Sequence, residues 1–218
     1  MRRLTTTTTG RTNRLRVRRH VSYHQYATIN DVDQRGALMW PDFVTEEEEI
    51  TLTQYFHKQL RKRKYERDHW DGVIEAYREL QRTISAMPND IQAIVQRCKQ
   101  QAFRENVIIQ PQVHILDLAP DGYIDFHVDS VKFAGQHVVG LCLLSDAVMR
   151  LKHEETGEII DLFLPRRGLY CLRDEIRFDF AHAILRNDQA EFNGRPVKRE
   201  RRITMMLRDE LESSETNR

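Results

Sequence analysis

The feature that most limits the fold is the second half of the sequence, where short β-rich runs alternate with turn residues. Glycine and proline mark turns at residues 120–122, 156–157 and 165–168. Many short strands at this spacing predict an antiparallel sandwich or barrel. The predicted strands cover residues 107–109, 113–118, 123–129, 138–144, 148–153, 159–164, 168–172, 178–185 and 202–208.

The first half of the domain has helical patterns instead. Thr45 followed by Glu48 forms a capping box at the start of one helix, and the basic run at residues 58–64 suits its C-terminal end, where we interpret it as a solvated face. A second helix is predicted over residues 70–85, and a third after Pro88. The predicted fold class is therefore α+β, a core of two antiparallel sheets with N-terminal helices packed on one face.

The first thirty residues have a composition of their own, with seven arginines, no acidic residue and a run of threonines. This composition predicts a mitochondrial transit peptide, and the alternative is a disordered basic arm that binds nucleic acid. Because those seven arginines exceed the net charge of +1, residues 31–218 carry a net charge of −6. That value disfavours broad nucleic-acid binding without excluding an RNA substrate. We predict one domain over residues 31–211 and a disordered tail over 212–218.

Two further classes of protein are excluded. Cys98, Cys142 and Cys171 are odd in number and far apart, so they predict neither a disulfide framework nor a zinc site. No stretch of the sequence approaches the roughly 20 apolar residues of a transmembrane helix.

His-x-Asp occurs twice, as His69-x-Asp71 and His127-x-Asp129. The first precedes a pattern predicted to be helical, where residues two apart do not face each other. The second ends a predicted strand, where residues two apart share a face and can bind one ion. Two histidines and one carboxylate on one side of the ion hold iron in non-haem oxygenases. The second pattern is therefore the candidate for two metal ligands.

The third ligand has to come from a distant strand, and His182 is the best candidate. It lies on the apolar face of the predicted strand at residues 178–185. A histidine in such a position is, taken alone, more often an ordinary core residue. His114, His137 and His153 compete with it, but each is close in sequence to His127 or better placed at the end of a strand.

The last predicted strand carries Arg202 and Arg208 on one face and apolar residues on the other. If the apolar face packs on the helices, both guanidinium groups point into the core, where they need an anionic partner. A dicarboxylate fits this requirement. The alternative is an edge strand with both arginines in solvent.

His127-x-Asp129, His182 and Arg202-x5-Arg208 occur in this order, and in this order the chain resembles the AlkB-like family of 2-oxoglutarate dioxygenases. The resemblance extends from about residue 40 to residue 208. The matching stretches are residues 65–71 (YERDHWD), 113–118 (VHILDL), 122–124 (GYI), 127–133 (HVDSVKF) and 178–182 (FDFAH).

The resemblance implies a double-stranded β-helix, or jelly roll, that uses Fe(2+), 2-oxoglutarate and O2. It implies that iron is bound by His127, Asp129 and His182. For 2-oxoglutarate it implies binding by Tyr170, Arg202 and Arg208, with His114 lining the same pocket. A tyrosine in the core is the alternative role for Tyr170.

The resemblance is strongest to a mitochondrial subgroup, and this implies a monomer in the matrix with a role in regulated necrosis and fatty-acid metabolism. It also implies a macromolecular substrate, which we expect to be a protein. We see no base-binding lid, because residues 66–88 read as helix and few aromatic residues cluster ahead of His127. The alternatives are a mitochondrial RNA or tRNA demethylase acting on methylated bases, and a non-catalytic metal-binding jelly roll that serves as an interaction module.

Overall fold

The structure is a computed structural model and describes residues 31–67, 72–132 and 134–211. The predicted leader, the predicted tail and the His69-x-Asp71 pattern lie outside the described residues. The helices are α1 (Asp31–Arg35), α2 (Glu46–Leu60), α3 (Asn89–Ala102) and α4 (Asp174–Phe178), with a 3-10 turn at Ile84–Ala86. The strands are β1 (Ala37–Trp40), β2 (Ile74–Thr83), β3 (Gln112–His127), β4 (Val138–Leu143), β5 (Ala147–His153), β6 (Ile159–Leu164), β7 (Leu169–Leu172), β8 (Phe180–Ile184), β9 (Glu191–Phe192), β10 (Arg195–Pro196) and β11 (Arg202–Arg208).

The capping box at the start of α2 is confirmed. The Glu48 backbone N–H donates to Thr45 Oγ1 at 3.2 Å, and the Thr45 backbone N–H donates to the Glu48 carboxylate at 2.9 Å. The helix predicted after Pro88 is also confirmed, as α3. None of the described helices is long and apolar enough to span a membrane.

The helix predicted over residues 70–85 is wrong, because most of this segment is the strand β2. β2 pairs antiparallel along β3 from Ile74↔Ile124 to Thr83↔Gln112. The helical spacing of its apolar residues is real, but the long neighbouring strand satisfies its backbone groups and overrides the local preference.

The prediction that a turn at residues 120–122 separates two strands is also wrong, since β3 continues through these residues, with a bulge in its pairing with β2 between Glu75↔Tyr123 and Tyr77↔Leu118. At Gly122 the strands approach so closely that an added Cβ would collide with the carbonyl oxygens of Glu75 and Ala76. Here the glycine permits close backbone contact within a bent strand. The short run at residues 107–109 contributes only an isolated bridge, between Ile109 and Asp209. The run at 178–185 begins as the end of α4 and continues as β8.

The strands form two layers that share β3. The order is β1-β7-β4-β11-β3-β8-β5-β6, with β2 also on β3, and every pair is antiparallel. The first half of β3 pairs with β2 and β11, whereas its last residues pair with β8. This is the predicted jelly roll with helices on one face.

Apolar side chains form one core on each face of the layer that contains β7, β4 and β11. The first lies between this layer and the helices α2 and α3, and contains Leu52, Phe56 and Ile94. The second lies between the two layers. β11 separates them as predicted, because Ile203, Met205 and Leu207 belong to the helix-side core, and Met206 packs against the interior one.

Phe56→Ala tests the helix-side core. Phe56 is fully buried, so its truncation should lower the free energy of unfolding by about 3–5 kcal/mol. Ile50→Ala on the same helix is the control, because Ile50 is 53% exposed and its truncation should change stability by less than about 0.5 kcal/mol. Denaturant unfolding of both variants measures the difference. Equal losses would contradict this account of the packing of α2.

Candidate active site

The paired strands β3 and β8 bring the predicted metal ligands together. His127 at the end of β3 lies opposite His182 of β8, and Asp129 follows two residues after His127. One ligand atom from each of the three residues lies within 4.8 Å of the other two. The two imidazole rings are 4.2 Å apart between centroids. This geometry and this donor set fit a divalent metal ion held on one side.

A hydrogen bond orients the ring of His127, and burial keeps His182 neutral. His127 Nδ1 is 2.9 Å from the carbonyl oxygen of Asp125, which leaves Nε2 facing Asp129 Oδ1 at 3.4 Å. Burial, together with the charge of His127, lowers the pKa of His182 to about 3. His182 therefore presents a neutral ring with a free lone pair at neutral pH, which is the form that binds metals.

Asp129 is held as a carboxylate. Burial acts to raise its pKa, but the hydrogen bond from His127 and the charge of Arg208 outweigh burial and keep the pKa below its ordinary value. Arg208 donates to Asp129 Oδ2 from Nε at 3.1 Å and from Nη2 at 2.9 Å. The other oxygen, Oδ1, remains directed toward the two histidines.

Arg202 lies deeper on the same strand as Arg208 and is almost fully buried, with 2% of its surface exposed. Its Nη2 donates to Cys142 Sγ at 3.3 Å, and its Nε has no hydrogen-bond partner within the described chain. No described carboxylate forms an ion pair with it. A buried cation without an anion is costly, so the group fits a ligand carboxylate.

Tyr170 of β7 lies in the interior core, opposite Gly140 of β4. Burial raises the pKa of Tyr170 to about 12, while the charge of Arg202 opposes this rise, so its hydroxyl stays protonated and able to donate. An added Cβ at Gly140 would collide with the ring of Tyr170. The requirement for glycine at residue 140 was not predicted from the sequence, where Gly140 reads as part of an ordinary buried strand.

The remaining histidines lie apart from the triad in the described chain. His114 is in register with Met206 of β11, and its Nε2 is 2.6 Å from the Glu79 carboxylate. His137 is buried against Asp209 at 2.8 Å. His153 accepts from the backbone N–H groups of residues 155 and 156.

The loop between β3 and β4, residues 128–137, carries Asp129, and we call it the metal-ligand loop. A buried arginine that the sequence did not single out supports this loop. Arg177 of α4 donates from Nη1 to the carbonyl of Asp129 at 2.9 Å, and from Nη2 to the carbonyl of Ala134 at 3.3 Å. The far end of this loop is held by Asp209, which accepts from the backbone N–H groups of Gln136 and His137 at 3.0 and 2.9 Å. A lone arginine five residues before His182 gives no sequence signal for this role.

A jelly roll that places two histidines and a carboxylate beside buried arginines defines the class of iron- and 2-oxoglutarate-dependent oxygenases. No family model matches the chain. The mouse mitochondrial alpha-ketoglutarate-dependent dioxygenase alkB homolog 7 is 44% identical over 173 residues, which cover 79% of this chain and 77% of that protein. The bovine protein of the same name is 43% identical over 176 residues, covering 80% and 79%. The chain therefore belongs to the AlkB family of alpha-ketoglutarate-dependent dioxygenases.

A solved structure agrees at the level of the fold. OsALKBH1 superimposes with a TM-score of 0.58 at 13% identity, over 81% of this chain and 97% of that one. As a member of the family, the protein is a dioxygenase that uses Fe(2+), 2-oxoglutarate and O2.

Arg177→Met tests the support of the metal-ligand loop. Loss of both hydrogen bonds to the loop should weaken binding of Mn(II) by about 10-fold or more, as expected for a group that orients a ligand. Arg177→Lys, which keeps a donor, should recover part of this affinity. Arg104→Met is the matched control, because Arg104 is an exposed arginine that pairs with Asp174 of α4, the helix that carries Arg177. Titration of Mn(II) by electron paramagnetic resonance gives the dissociation constants, and equal values for all four proteins would rule out this role.

Proposed function

We propose that His127, Asp129 and His182 hold the iron and that Arg202, Arg208 and Tyr170 hold 2-oxoglutarate. The observation that carries this proposal is the buried guanidinium of Arg202, which has an unused donor and no anionic partner among the described residues. A bidentate pair with the distal carboxylate of 2-oxoglutarate satisfies that donor. When bound, iron supplies the oxidation of a substrate C–H bond by O2, coupled to decarboxylation of 2-oxoglutarate to succinate.

The protein side chains orient the reactants in this proposal. Arg208 holds one oxygen of Asp129 and directs the other toward the histidines. The protonated hydroxyl of Tyr170 donates to the cosubstrate beside Arg202. We propose that His114 also lines the cosubstrate pocket, with its ring fixed by the Glu79 carboxylate at 2.6 Å from Nε2. The apolar walls between the two layers exclude water from the reaction.

We propose a protein as the macromolecular substrate. A cavity of about 480 Å³ adjoins Arg208 and combines amide, acidic, basic and apolar side chains, namely Gln81, Gln110, Lys132, Glu210 and Leu211. Such a mixed lining suits a polypeptide better than a polyanion. The strand β2 replaces the helix predicted in this region, and it too offers no surface for a flipped base. Within described residues 72–88 the single aromatic residue is Tyr77, which is 2% exposed and unable to stack on a base.

The cellular setting is part of the same proposal. The mouse and bovine relatives are named as mitochondrial, and the arginine-rich residues 1–30 fit import into the matrix. We propose a monomeric enzyme whose domain covers residues 31–211. A role in regulated necrosis and fatty-acid metabolism rests on the family resemblance alone. Family membership argues against the non-catalytic interaction module.

Metal-dependent binding of 2-oxoglutarate tests the site. With Mn(II) in place of iron, calorimetry should show binding to the unmutated protein and no binding to His127→Ala. Arg202→Ala should retain Mn(II) and lose about 100-fold in affinity for 2-oxoglutarate, because a buried charge pair is removed. Arg195→Ala, at an exposed arginine, is the control. Binding of 2-oxoglutarate without metal, or unchanged binding in Arg202→Ala, would contradict the assignment.

Succinate formation tests the substrate class. Denatured mitochondrial protein should stimulate turnover of 2-oxoglutarate above its basal rate, and mitochondrial RNA at equal mass should not. Protease treatment of the protein fraction should abolish the stimulation. Stimulation by RNA alone, with release of formaldehyde, would favour the demethylase instead.

A further inference from the structure

The C-terminal end of α2 carries a concentration of positive charge that the dioxygenase reaction does not use. The lysines and arginines of this helix end are exposed, and none of them forms an ion pair within the described part of the chain. We call residues 57–64 together with Arg201 the basic end. The five lysines and arginines of the helix end and following turn are Lys58, Arg61, Lys62, Arg63 and Lys64.

A cavity of about 440 Å³ opens within the basic end. Its lining contains three cations and a histidine but no acidic side chain: Thr53, Gln54, His57, Lys58, Arg61, Leu144 and Arg201. Arg201 is fixed there by a bidentate contact with the buried Asp117, at 2.9 and 2.8 Å. Its Nη1 lies 3.3 Å from His57 Nδ1 at the cavity surface. A preorganised arginine beside two unpaired cations is suited to a phosphate group.

The nearest acidic side chains on this part of the surface are engaged elsewhere. Glu200 pairs with Lys198 at 3.1 Å, and Asp146 accepts from the backbone N–H of Arg166 at 2.7 Å. Asp117 pairs with Arg201 and with Arg78, so the positive charge that is not neutralised locally is that of the five lysines and arginines of the helix end. It stands out because residues 31–218 together carry a net charge of −6.

The basic end lies at the opposite end of β11 from Arg208 and the candidate metal ligands. Arg201 immediately precedes β11, and Arg208 at its other end contacts Asp129. At the usual rise per residue the two ends are about 20 Å apart. A partner bound at the basic end therefore leaves the cavity beside Arg208 open to a substrate.

We propose that the basic end docks on an anionic phospholipid surface, with a lipid phosphate in the cavity between Lys58, Arg61 and Arg201. A compact group of four to eight lysines and arginines on one protruding element is typical of binding to such surfaces. Single-stranded nucleic acid is less well matched, because stacking needs exposed aromatic rings. The described large apolar residues that are exposed lie elsewhere: Ile50, Ile108, Phe126, Val131, Phe178 and Leu211.

Sedimentation of the full chain with vesicles tests the proposal. The vesicles contain phosphatidylcholine alone or phosphatidylcholine mixed with phosphatidylglycerol. We expect salt-sensitive binding to the anionic vesicles that is about 100-fold weaker in the triple variant Arg61→Gln, Lys62→Gln and Lys64→Gln, since each cation contributes about fivefold. The control is Lys152→Gln, Arg195→Gln and Arg104→Gln, which makes the same change in net charge at exposed positions on other parts of the chain.

The comparison between the two triple variants carries the test, because all proteins share the arginine-rich residues 1–30. Unchanged metal-dependent binding of 2-oxoglutarate verifies that each variant is folded. Equal vesicle binding by the two variants would overturn the proposal. So would tighter binding of a structured RNA than of vesicles at the same phosphate concentration, if the first variant lost that binding. Competition by inorganic phosphate against the vesicles would support a phosphate in the cavity.

Discussion

The two-layer architecture depends on the bend in β3, because this one strand has to pair with β11 in one layer and β8 in the other. At residues 119–122 the strand turns without ending, and the bend exposes carbonyl groups to the interior. Arg199 fills this position and donates to the carbonyls of Ala119 and Gly122. Because the bend directs the end of β3 toward β8, it also places His127 opposite His182.

Three buried arginines lie around the site, and their guanidinium groups have different kinds of hydrogen-bond partner. The carbonyls at the β3 bend surround Arg199, and burial lowers its pKa to about 10. Arg177 is bound by carbonyls of the metal-ligand loop. All three have a buried Nε without a hydrogen-bond partner in the described chain, but Arg202 donates to the Cys142 thiol instead of to carbonyls. The carbonyl groups give Arg177 and Arg199 a structural role, whereas the thiol leaves the charge of Arg202 without an anionic or carbonyl partner. This contrast is what supports the proposal that Arg202 binds 2-oxoglutarate.

The sequence predicts much of the fold, because its signals there are local. The capping box of α2 and the alternation of β11 each depend on residues a few positions apart, and both predictions are confirmed. The errors at β2 and at residues 120–122 have a different cause. In both places a long-range strand partner decides the structure, and no local pattern reports which backbone lies alongside.

The candidate site shows the same division. His127, Asp129 and His182 were predicted from spacing and strand parity, and the structure brings their ligand atoms together, although their role as ligands is a proposal. Arg177 and Gly140 were missed because they act through neighbours from other elements, the carbonyl of Asp129 and the ring of Tyr170. Their roles follow only once α4 and β7 are positioned.

The two faces of β11 restrict how the chain can change in length. Alternate residues of this strand serve the helix-side core and the interior between the layers. Inserting or deleting one residue between Arg202 and Arg208 would exchange the faces beyond that point, burying charge among the helices or exposing apolar side chains to the site. Relatives that conserve both arginines should therefore tolerate many substitutions in this strand while keeping the number of residues between them constant.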